Sequence, residues 1–200
     1  RPMKEVVSMS EPLSIRRAFK SLAAGADSGI AAVEFAIIVP IFLMFFVGTT
    51  DLGQLLFDQY TLDNAVAAGA QYAALNAANV TSTNGAALAS SIATVVESAN
   101  GSAWANDTIV VNDGPTVTVT SGTATSGGTA SNADSYYCLT GSPGSWSWGT
   151  AYSTQVSCAA GGSAGKFVTI TGTYAYTPLL TIFNFVGNTT LSQSSVVETQ

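Results

Sequence analysis

The sequence predicts an α+β protein. A long N-terminal α-helix, transmembrane and then amphipathic, precedes a short helix and a small antiparallel β-rich outer domain. Three observations predict this class. Residues 30–50 are almost purely apolar. Apolar residues then recur at helical spacing to about residue 78, and again over residues 86–98. From about residue 108 the alternation has a period of two, which is typical of strands.

The apolar stretch Ile30–Thr50 is long enough to cross a membrane. Its 21 residues contain one charged side chain, Glu34, and as a helix they span about 30 Å, the thickness of a bilayer's hydrocarbon core. A carboxylate costs about 2.5 to 3.5 kcal/mol at mid-bilayer on insertion scales, and less near the end of a span. An idle interfacial Glu34 is therefore tolerable, but a partner for it is the default hypothesis. Pro40 predicts a kink, because proline removes a helical hydrogen bond and clashes with the preceding turn.

Charge is distributed asymmetrically about this span. Five basic and three acidic residues precede Gly29, whereas one basic residue, Lys166, and eight acidic residues follow Thr50. Because Lys and Arg mark the cytoplasmic flank of a span, residues 1–29 are predicted to be a basic cytoplasmic leader, with the C-terminal part outside the cytoplasm. The acidic outer part argues against nucleic acid as a partner, since nucleic-acid binding needs a basic surface.

Residues 51–79 are predicted to continue the helix. Their helically spaced set is Leu52, Leu55, Leu56, Gln59, Leu62, Val66, Gly69 and Tyr72. Asp51, Asp58 and Asp63 lie among these and are predicted to be the solvated positions. Small residues also recur at every fourth position, at Ala65, Gly69, Ala73 and Ala77. The sequence leaves two explanations of this stripe open: close approach of backbones, or simply high helix propensity.

Residues 80–200 are predicted to form the small α+β outer domain. A second helix is expected over Ala86–Ser98, with Leu88, Ile92, Val95 and Val96 on one face. The predicted strands are Thr108–Val111, Pro115–Thr120, Lys166–Tyr176 and Thr190–Val197, with Asn112-Asp113-Gly114 as a turn. Residues 121–132 are rich in Gly, Ser and Thr and predict a mobile loop. Residues 136–158 predict a loop-rich region, and residues 179–186 are apolar again.

The two cysteines, Cys138 and Cys158, both lie on the predicted outer side of the membrane. Outside the cytoplasm a pair of thiols tends to be oxidised, and two cysteines allow one intrachain pairing. Closing a loop of about 20 residues stabilises the fold by about 3 kcal/mol in the chain-entropy model. We therefore expect a disulfide, with two unpaired buried thiols as the alternative.

The composition excludes several kinds of catalytic site. The chain has no histidine, so a Ser-His-Asp triad, a Cys-His pair and a His-ligated metal are ruled out. No glycine cluster has the lysine or the strand-to-helix setting of a phosphate loop. Asp107, Asp113 and Asp134 match no calcium loop and are predicted to be turn residues. No enzyme activity, metal or cofactor is therefore predicted. Six aromatic residues suit a core better than a binding face: Trp104, Tyr136, Tyr137, Trp146, Trp148 and Tyr152.

The segment at the start of the span resembles a type IV prepilin processing site. Gly29 precedes a hydrophobic Ile30, and Glu34 stands at the fifth position after the glycine. The longer run from Gly29 through Pro40 and Asp51-Leu52-Gly53 to residue 75 resembles the TadE-like pseudopilins of tight-adherence (Tad/Flp) type IV pilus systems. Two positions depart from the family pattern. Glu often stands where this chain has Asp51, and Arg often stands where it has Gln71, so any salt bridge made by that arginine is missing here.

This resemblance implies a pilin-like protein of the bacterial inner membrane. A prepilin peptidase would cut between Gly29 and Ile30 on the cytoplasmic side, and Gly29 offers it a backbone without a side chain in the way. Glu34 would then neutralise the new amine at Ile30 of a neighbouring subunit, because opposite charges attract strongly in low dielectric. The implied partners are the peptidase, other pilin subunits, the pilus assembly platform and the membrane.

Three functions are compatible with the sequence. The leading hypothesis is a minor pilin or pseudopilin that takes part in assembly or tip formation of an adhesive pilus, because the outer domain is larger than a bare major pilin needs. The alternative is an uncleaved single-pass membrane protein whose outer domain binds a ligand or partner. A membrane-anchored enzyme is the third, and the missing histidine argues against it.

Overall fold

A computed structural model describes residues 26–100, 105–179 and 186–200 of the chain. It is an α+β fold, as predicted: a long apolar helix, a short second helix and an antiparallel sheet. The chain divides into two units, Arg1–Thr49 and Thr50–Gln200. The predicted leader falls almost wholly before residue 26, so most of it lies outside the described residues.

Helix α1 (Ala26–Leu75) contains the whole predicted span and most of its predicted continuation. It starts four residues before Ile30 and ends four residues before residue 79, the predicted end of the continuation. The helix continues through Pro40, so the kink at this residue stays a prediction. A short 3-10 helix, Ala77–Asn79, follows, and helix α2 spans Gly85–Asn100.

The main sheet has five antiparallel strands. The strands of this sheet are β1 (Ala105–Val111), β2 (Pro115–Thr120), β3 (Thr123–Gly128), β8 (Phe167–Tyr176) and β9 (Thr189–Glu198), in the spatial order β3-β2-β1-β8-β9. β1 pairs with β8 through Ile109 opposite Ile170, and β8 pairs with β9 over all ten of their residues. The four predicted strands are present: β1 and β9 extend beyond their predicted ends, β2 has the predicted bounds, and β8 starts one residue later than predicted.

The predicted mobile loop over residues 121–132 is wrong. This segment contains strand β3 and the start of a 3-10 helix, Ala130–Asp134. All six residues of β3 are exposed, and the strand is held by backbone pairing with β2, from Thr123 opposite Thr120 to Gly128 opposite Pro115. A strand with no buried side chain leaves no apolar alternation in the sequence, so the pattern that predicts strands is absent here.

The turn at Asn112-Asp113-Gly114 is confirmed, and its geometry explains the residues. Asn112 and Asp113 have positive φ values of 54° and 51°, the conformation of a type I′ hairpin turn that Asn, Asp and Gly adopt most readily. Asn112 is also fully buried, and its amide donates to the carbonyl oxygens of Ala133 and Ser135. The turn therefore also fixes the chain that follows β3.

The core lies between the helices and one face of the sheet. Helix α2 packs on β1 and β2. The buried apolar cluster includes Leu62 and Val66 of α1, Leu88, Ile92 and Val96 of α2, and Ile109, Val117, Val168 and Ile170 of the sheet. All of these residues belong to the unit that starts at Thr50, so this unit has its own hydrophobic core.

Residues 136–158 are rich in loops, as predicted, and contain four very short strands. These are β4 (Tyr136–Tyr137), β5 (Thr140–Ser142), β6 (Ser145–Ser147) and β7 (Ala151–Tyr152). The predicted disulfide between Cys138 and Cys158 is present, with the Cα atoms 5.7 Å apart. Among the aromatic residues predicted to form a core, Tyr137 is fully buried against Trp148, and Tyr136, Trp146, Trp148 and Tyr152 are half-buried. Trp104 lies outside the described residues.

Candidate functional site

The first half of α1 is an apolar surface that faces solvent all round. Eleven large apolar side chains between Ile30 and Phe46 are 45% to 73% exposed. The most apolar part of this helix has no buried residue, and it is long and apolar enough to cross a membrane. Because a helix that is hydrophobic on every side belongs in an apolar environment, this half of α1 is suited to lipid or to other apolar helices.

The Gly29–Ile30 bond lies inside helix α1. Gly29 is exposed, and a Cβ atom built on it would meet no atom within 4 Å. The residues of the predicted cleavage site are therefore accessible from the side of the helix. The bond joins the fourth and fifth residues of the helix, close to the end where N–H groups lack intrahelical partners and fraying costs least.

Glu34 is the only charged residue of the apolar surface, and it is exposed. The described part of the chain contains one basic residue, Lys166. Its ammonium group is buried, donates a hydrogen bond to the carbonyl oxygen of Val80 at 3.1 Å and lies 5.5 Å from the centre of the Tyr136 ring. Glu34 therefore has no cationic partner among the residues that the structure describes.

The second half of α1 buries one face in the core of the outer unit. Leu62, Ala65, Val66, Gly69 and Ala73 are buried. Gly69 marks the closest approach, since a Cβ there would lie 2.6 Å from Cγ2 of Val96 and 3.3 Å from Cδ1 of Ile170. The small-residue stripe thus permits close packing within this chain, which decides between the two explanations left open by the sequence. Its last member, Ala77, lies beyond the helix and is half-buried.

Two of the three aspartates predicted to be solvated are buried. Asp51 is 1% exposed and Asp58 is 9% exposed, whereas Asp63 is half-buried and accepts a hydrogen bond from Nε2 of Gln59. The buried face of α1 passes through Asp51, Asp58, Leu62, Ala65 and Gly69 at intervals of three, four or seven residues. Helical spacing puts these residues on one face whatever their polarity, so polarity alone gave the wrong prediction.

Asp51 joins the start of the outer unit to the end of β8. The phenol of Tyr176 donates a hydrogen bond to the backbone carbonyl of Asp51 at 2.9 Å, and the backbone N–H of Leu179 donates to Oδ1 of Asp51 at 3.2 Å. Burial and the neighbouring carboxylates of Asp51 and Asp58 raise the pKa of Tyr176, which keeps the donor protonated. The aspartate thus holds the chain immediately after β8.

Residues 29–71 match the family model described as "TadE-like protein". Most of helix α1 is similar to this family. The match confirms the resemblance over the part of α1 that runs from the predicted cleavage site past Gly69 of the small-residue stripe. Searches of curated proteins and of solved structures found no match.

Within the TadE-like segment, Gln71 faces solvent. Gln71 stands where the family often has arginine, so the charge that this chain lacks would have been on the surface of the helix rather than in its core. Four large side chains of the outer half of the segment are also 50% to 70% exposed: Leu52, Leu56, Phe57 and Tyr60. They form an apolar strip on the helix, away from the residues that pack on the sheet.

A third buried carboxylate, Asp107, lies under the TadE-like segment. It belongs to β1, opposite Gly172 of β8, and is 1% exposed. A Cβ on Gly172 would lie 2.9 Å from Cδ1 of Leu62 and 3.0 Å from Oδ1 of Asp107, so this carboxylate lies at the interface of helix and sheet. Asp107 was predicted to be a turn residue, and that prediction is wrong: the residue points inward from a strand.

Neither carboxylate oxygen of Asp107 has a hydrogen-bond partner in the described chain, and Oδ2 of Asp51 and of Asp58 likewise has none. Burial, with a smaller contribution from Glu97, raises the pKa of Asp107 to about 6, and burial also raises the pKa of Asp58. No group of three or more possible ligands for a metal ion occurs among the described residues. The sequence gives one signal for these buried carboxylates: Asp58 lies at helical spacing from the apolar residues of α1 that are buried.

An open groove of about 480 Å³ lies beside the disulfide of the outer unit. It is lined by Cys138, Cys158, Phe167, Glu198 and the loop of residues 159–163. Among the described residues that line this groove, Glu198 supplies a carboxylate and Phe167 an aromatic ring.

Proposed function

We propose that this protein is a minor pilin or pseudopilin of a tight-adherence type IV pilus. A prepilin peptidase cuts it between Gly29 and Ile30, and the processed chain takes part in assembly of the pilus or in formation of its tip. The observation that carries the proposal is the exposed apolar first half of helix α1 with its single carboxylate, within a segment that matches the TadE-like family.

The apolar half of α1 supports this function because both the membrane and the pilus would cover its exposed side chains. In the bacterial inner membrane, with the N-terminus in the cytoplasm, lipid covers the side chains from Ile30 to Phe46. In a pilus, the corresponding helices of other subunits cover them. The exposed strip of Leu52, Leu56, Phe57 and Tyr60 extends the apolar surface beyond the span, where a neighbouring subunit rather than lipid is its natural cover.

Glu34 supports assembly because its charge lacks a cationic partner among the residues that the structure describes. After processing, Ile30 carries an amine and becomes the first residue of the helix, with Glu34 in the first turn and a half. An acid there complements the helix dipole. A second subunit offers a cation of the right kind, its own Ile30 amine, and pairing the two charges removes the cost of leaving either one unpaired in an apolar environment. The peptidase and the pilus assembly platform are the further partners of this proposal.

One observation favours the alternative, an uncleaved single-pass membrane protein with an outer domain that binds a ligand or partner. The Gly29–Ile30 bond lies within α1, and a helical bond must unwind before a peptidase can engage it. The groove beside the disulfide would then be the first place to look for a ligand.

The N-terminal residue of the membrane-bound protein distinguishes the two functions. Mass spectrometry of protein from cells with and without a prepilin peptidase should give Ile30 as the terminus only when the peptidase is present. Retention of the leader in both strains would refute processing and leave the alternative.

A pair of glycine variants separates an effect on recognition by the peptidase from an effect on folding of the helix. A Cβ has open space at both Gly29 and Gly53 on the same helix, so alanine fits at either position. We expect Gly29→Ala to slow processing, because the peptidase meets a side chain there, and Gly53→Ala to be processed like the unaltered chain. Equal processing of the two variants would contradict the role given to Gly29.

A further inference from the structure

Leu179 lies beside the residue at which the apolar span ends. Asp51 directly follows Thr50, the last residue of the span, and its Oδ1 accepts a hydrogen bond from the backbone N–H of Leu179 at 3.2 Å. The phenol of Tyr176 adds a second bond to the backbone of Asp51 at 2.9 Å. The position of Leu179 relative to the end of the span is therefore fixed by two hydrogen bonds and one covalent link.

The environment of Leu179 is unusual because the backbone is anchored and the side chain is not covered. Asp51, Tyr176 and Pro178 are buried, whereas the side chain of Leu179 is 62% exposed. A buried carboxylate is costly, and one of its oxygens has no partner. This buried carboxylate holds the backbone of Leu179, whose exposed apolar side chain therefore lies next to the end of the span.

The level of Leu179 corresponds to the interfacial layer of a bilayer. The polar and interfacial regions add about 5 to 7 Å to the hydrocarbon core on each side, and Leu179 is within hydrogen-bonding distance of the first residue beyond that core. We propose that Leu179 is a second membrane contact, which inserts at the boundary of headgroups and acyl chains and holds the outer domain against the lipid surface. This inference rests on the membrane anchoring of α1 in the proposed function.

Charge favours an apolar contact with lipid over an electrostatic one. The chain beyond Thr50 has one basic and eight acidic residues, so anionic headgroups repel the outer domain. Attachment of this domain to the surface must therefore come from burial of apolar side chains, each worth about 1.5 to 3 kcal/mol when fully buried. One leucine supplies a weak, reversible contact, which suits a subunit that must later leave the membrane.

The test uses single cysteine variants of the full chain. The two native cysteines form a disulfide, so an introduced cysteine is the one free thiol and takes a polarity-sensitive fluorophore alone. The variants are Leu179→Cys, Ile38→Cys near the centre of the span, and Leu75→Cys. Leu75 is the matched control, because it is an exposed leucine at 86% and lies 24 residues along the helix from Asp51, about 36 Å at the helical rise.

Each labelled protein is placed in vesicles of phosphatidylethanolamine and phosphatidylglycerol that carry a nitroxide quencher either near the headgroup or near the end of the acyl chain. The label at residue 179 should show blue-shifted emission and should be quenched more by the shallow nitroxide. The label at residue 38 should be quenched more by the deep nitroxide. The label at residue 75 should behave as it does in water.

The three positions make the outcomes separable. If residue 179 behaves like residue 75 while residue 38 is in lipid, the second contact is refuted and the membrane span stands. If residue 38 is also in water, the anchoring on which both proposals rest is refuted. If residue 179 is shielded only when the protein is concentrated enough to self-associate, and not by lipid, the cover is a second copy of the chain and the lipid proposal is again refuted.

Discussion

The two halves of helix α1 differ in composition and have opposite surroundings. The span half, Ile30–Thr50, exposes large side chains on every side. The outer half, Asp51–Leu75, buries a narrow face of small and aliphatic residues and, on the same face, two aspartates. The difference teaches that residue size and position on the helix, together with hydropathy, decide which part of a helix packs in its own chain. Large side chains exposed all round await an external partner, whereas Gly69 and Ala73 allow the backbone to reach the sheet.

Removal of the single charge of the span half should have the largest effect. We expect Glu34→Ala to leave membrane insertion intact or improved, because an apolar span without a carboxylate inserts more favourably, and to abolish incorporation into pili. Piliation and membrane content are measured by immunoblotting of sheared pili and of membranes. Asp63→Ala, which removes an acid from the outer half, is the control and should be incorporated normally. Normal piliation by Glu34→Ala would contradict the pairing of Glu34 with a neighbouring amine.

The next effect concerns the acid buried under the outer half. The folded pKa of Asp107, about 6, lies above the ordinary value of 3.8, so the folded chain binds this proton over a range in which the unfolded chain releases it. The free energy of unfolding should therefore be highest below about pH 4 and fall by about 3 kcal/mol as the pH rises through 6. Asp107→Asn should abolish most of this fall.

The measurement is denaturant unfolding of the full chain in detergent at pH 4 and at pH 8. The variant and the unaltered chain should agree at pH 4, where Asp107 is protonated, and the variant should be more stable at pH 8. Asp58, whose pKa is also raised by burial, should leave a smaller residual slope in the variant. An unaltered chain whose stability rises from pH 4 to pH 8 would show that Asp107 is not buried without partners.

A smaller effect is expected where α1 approaches the sheet. Gly69→Ala places a Cβ 2.6 Å from Cγ2 of Val96, and overpacking of this kind costs about 1 to 3 kcal/mol. The same substitution at Gly53 meets no atom within 4 Å and should stabilise the helix by about 0.5 to 1 kcal/mol. Unfolding of both variants gives the comparison, and equal stabilities would mean that the outer half does not pack as described.

The smallest effect is expected at the hydrogen bond between β8 and α1. Tyr176→Phe removes the donor to the Asp51 carbonyl and should cost about 0.5 to 1.5 kcal/mol, the net value of a typical hydrogen bond. Tyr60→Phe is the control, because Tyr60 is 66% exposed, and its stability should not change. A cost at Tyr60 as large as that at Tyr176 would contradict the anchoring role of the bond.

Local patterns in the sequence predicted much of this fold. The span, both helices, the four alternating strands and the turn at Asn112 each depend on periodicity or turn chemistry within a few residues. Strand β3 could not be predicted, because its residues are all exposed and its stability comes from backbone pairing with β2. The burial of Asp51 and Asp107 also could not be predicted, because it depends on which strand lies against which helix. That juxtaposition joins residues more than one hundred positions apart in sequence, as Asp51 and Leu179 are.

The buried ammonium group of Lys166 has a practical consequence for chemical labelling. Lys166 is the only lysine after residue 20, and its Nζ is occupied by the carbonyl of Val80. A chain cut after Gly29 would therefore offer amine-reactive reagents a single accessible target, the terminal nitrogen of Ile30. Its modification would report the cut, and its protection in assembled fibres would report the charge pair with Glu34 of the next subunit.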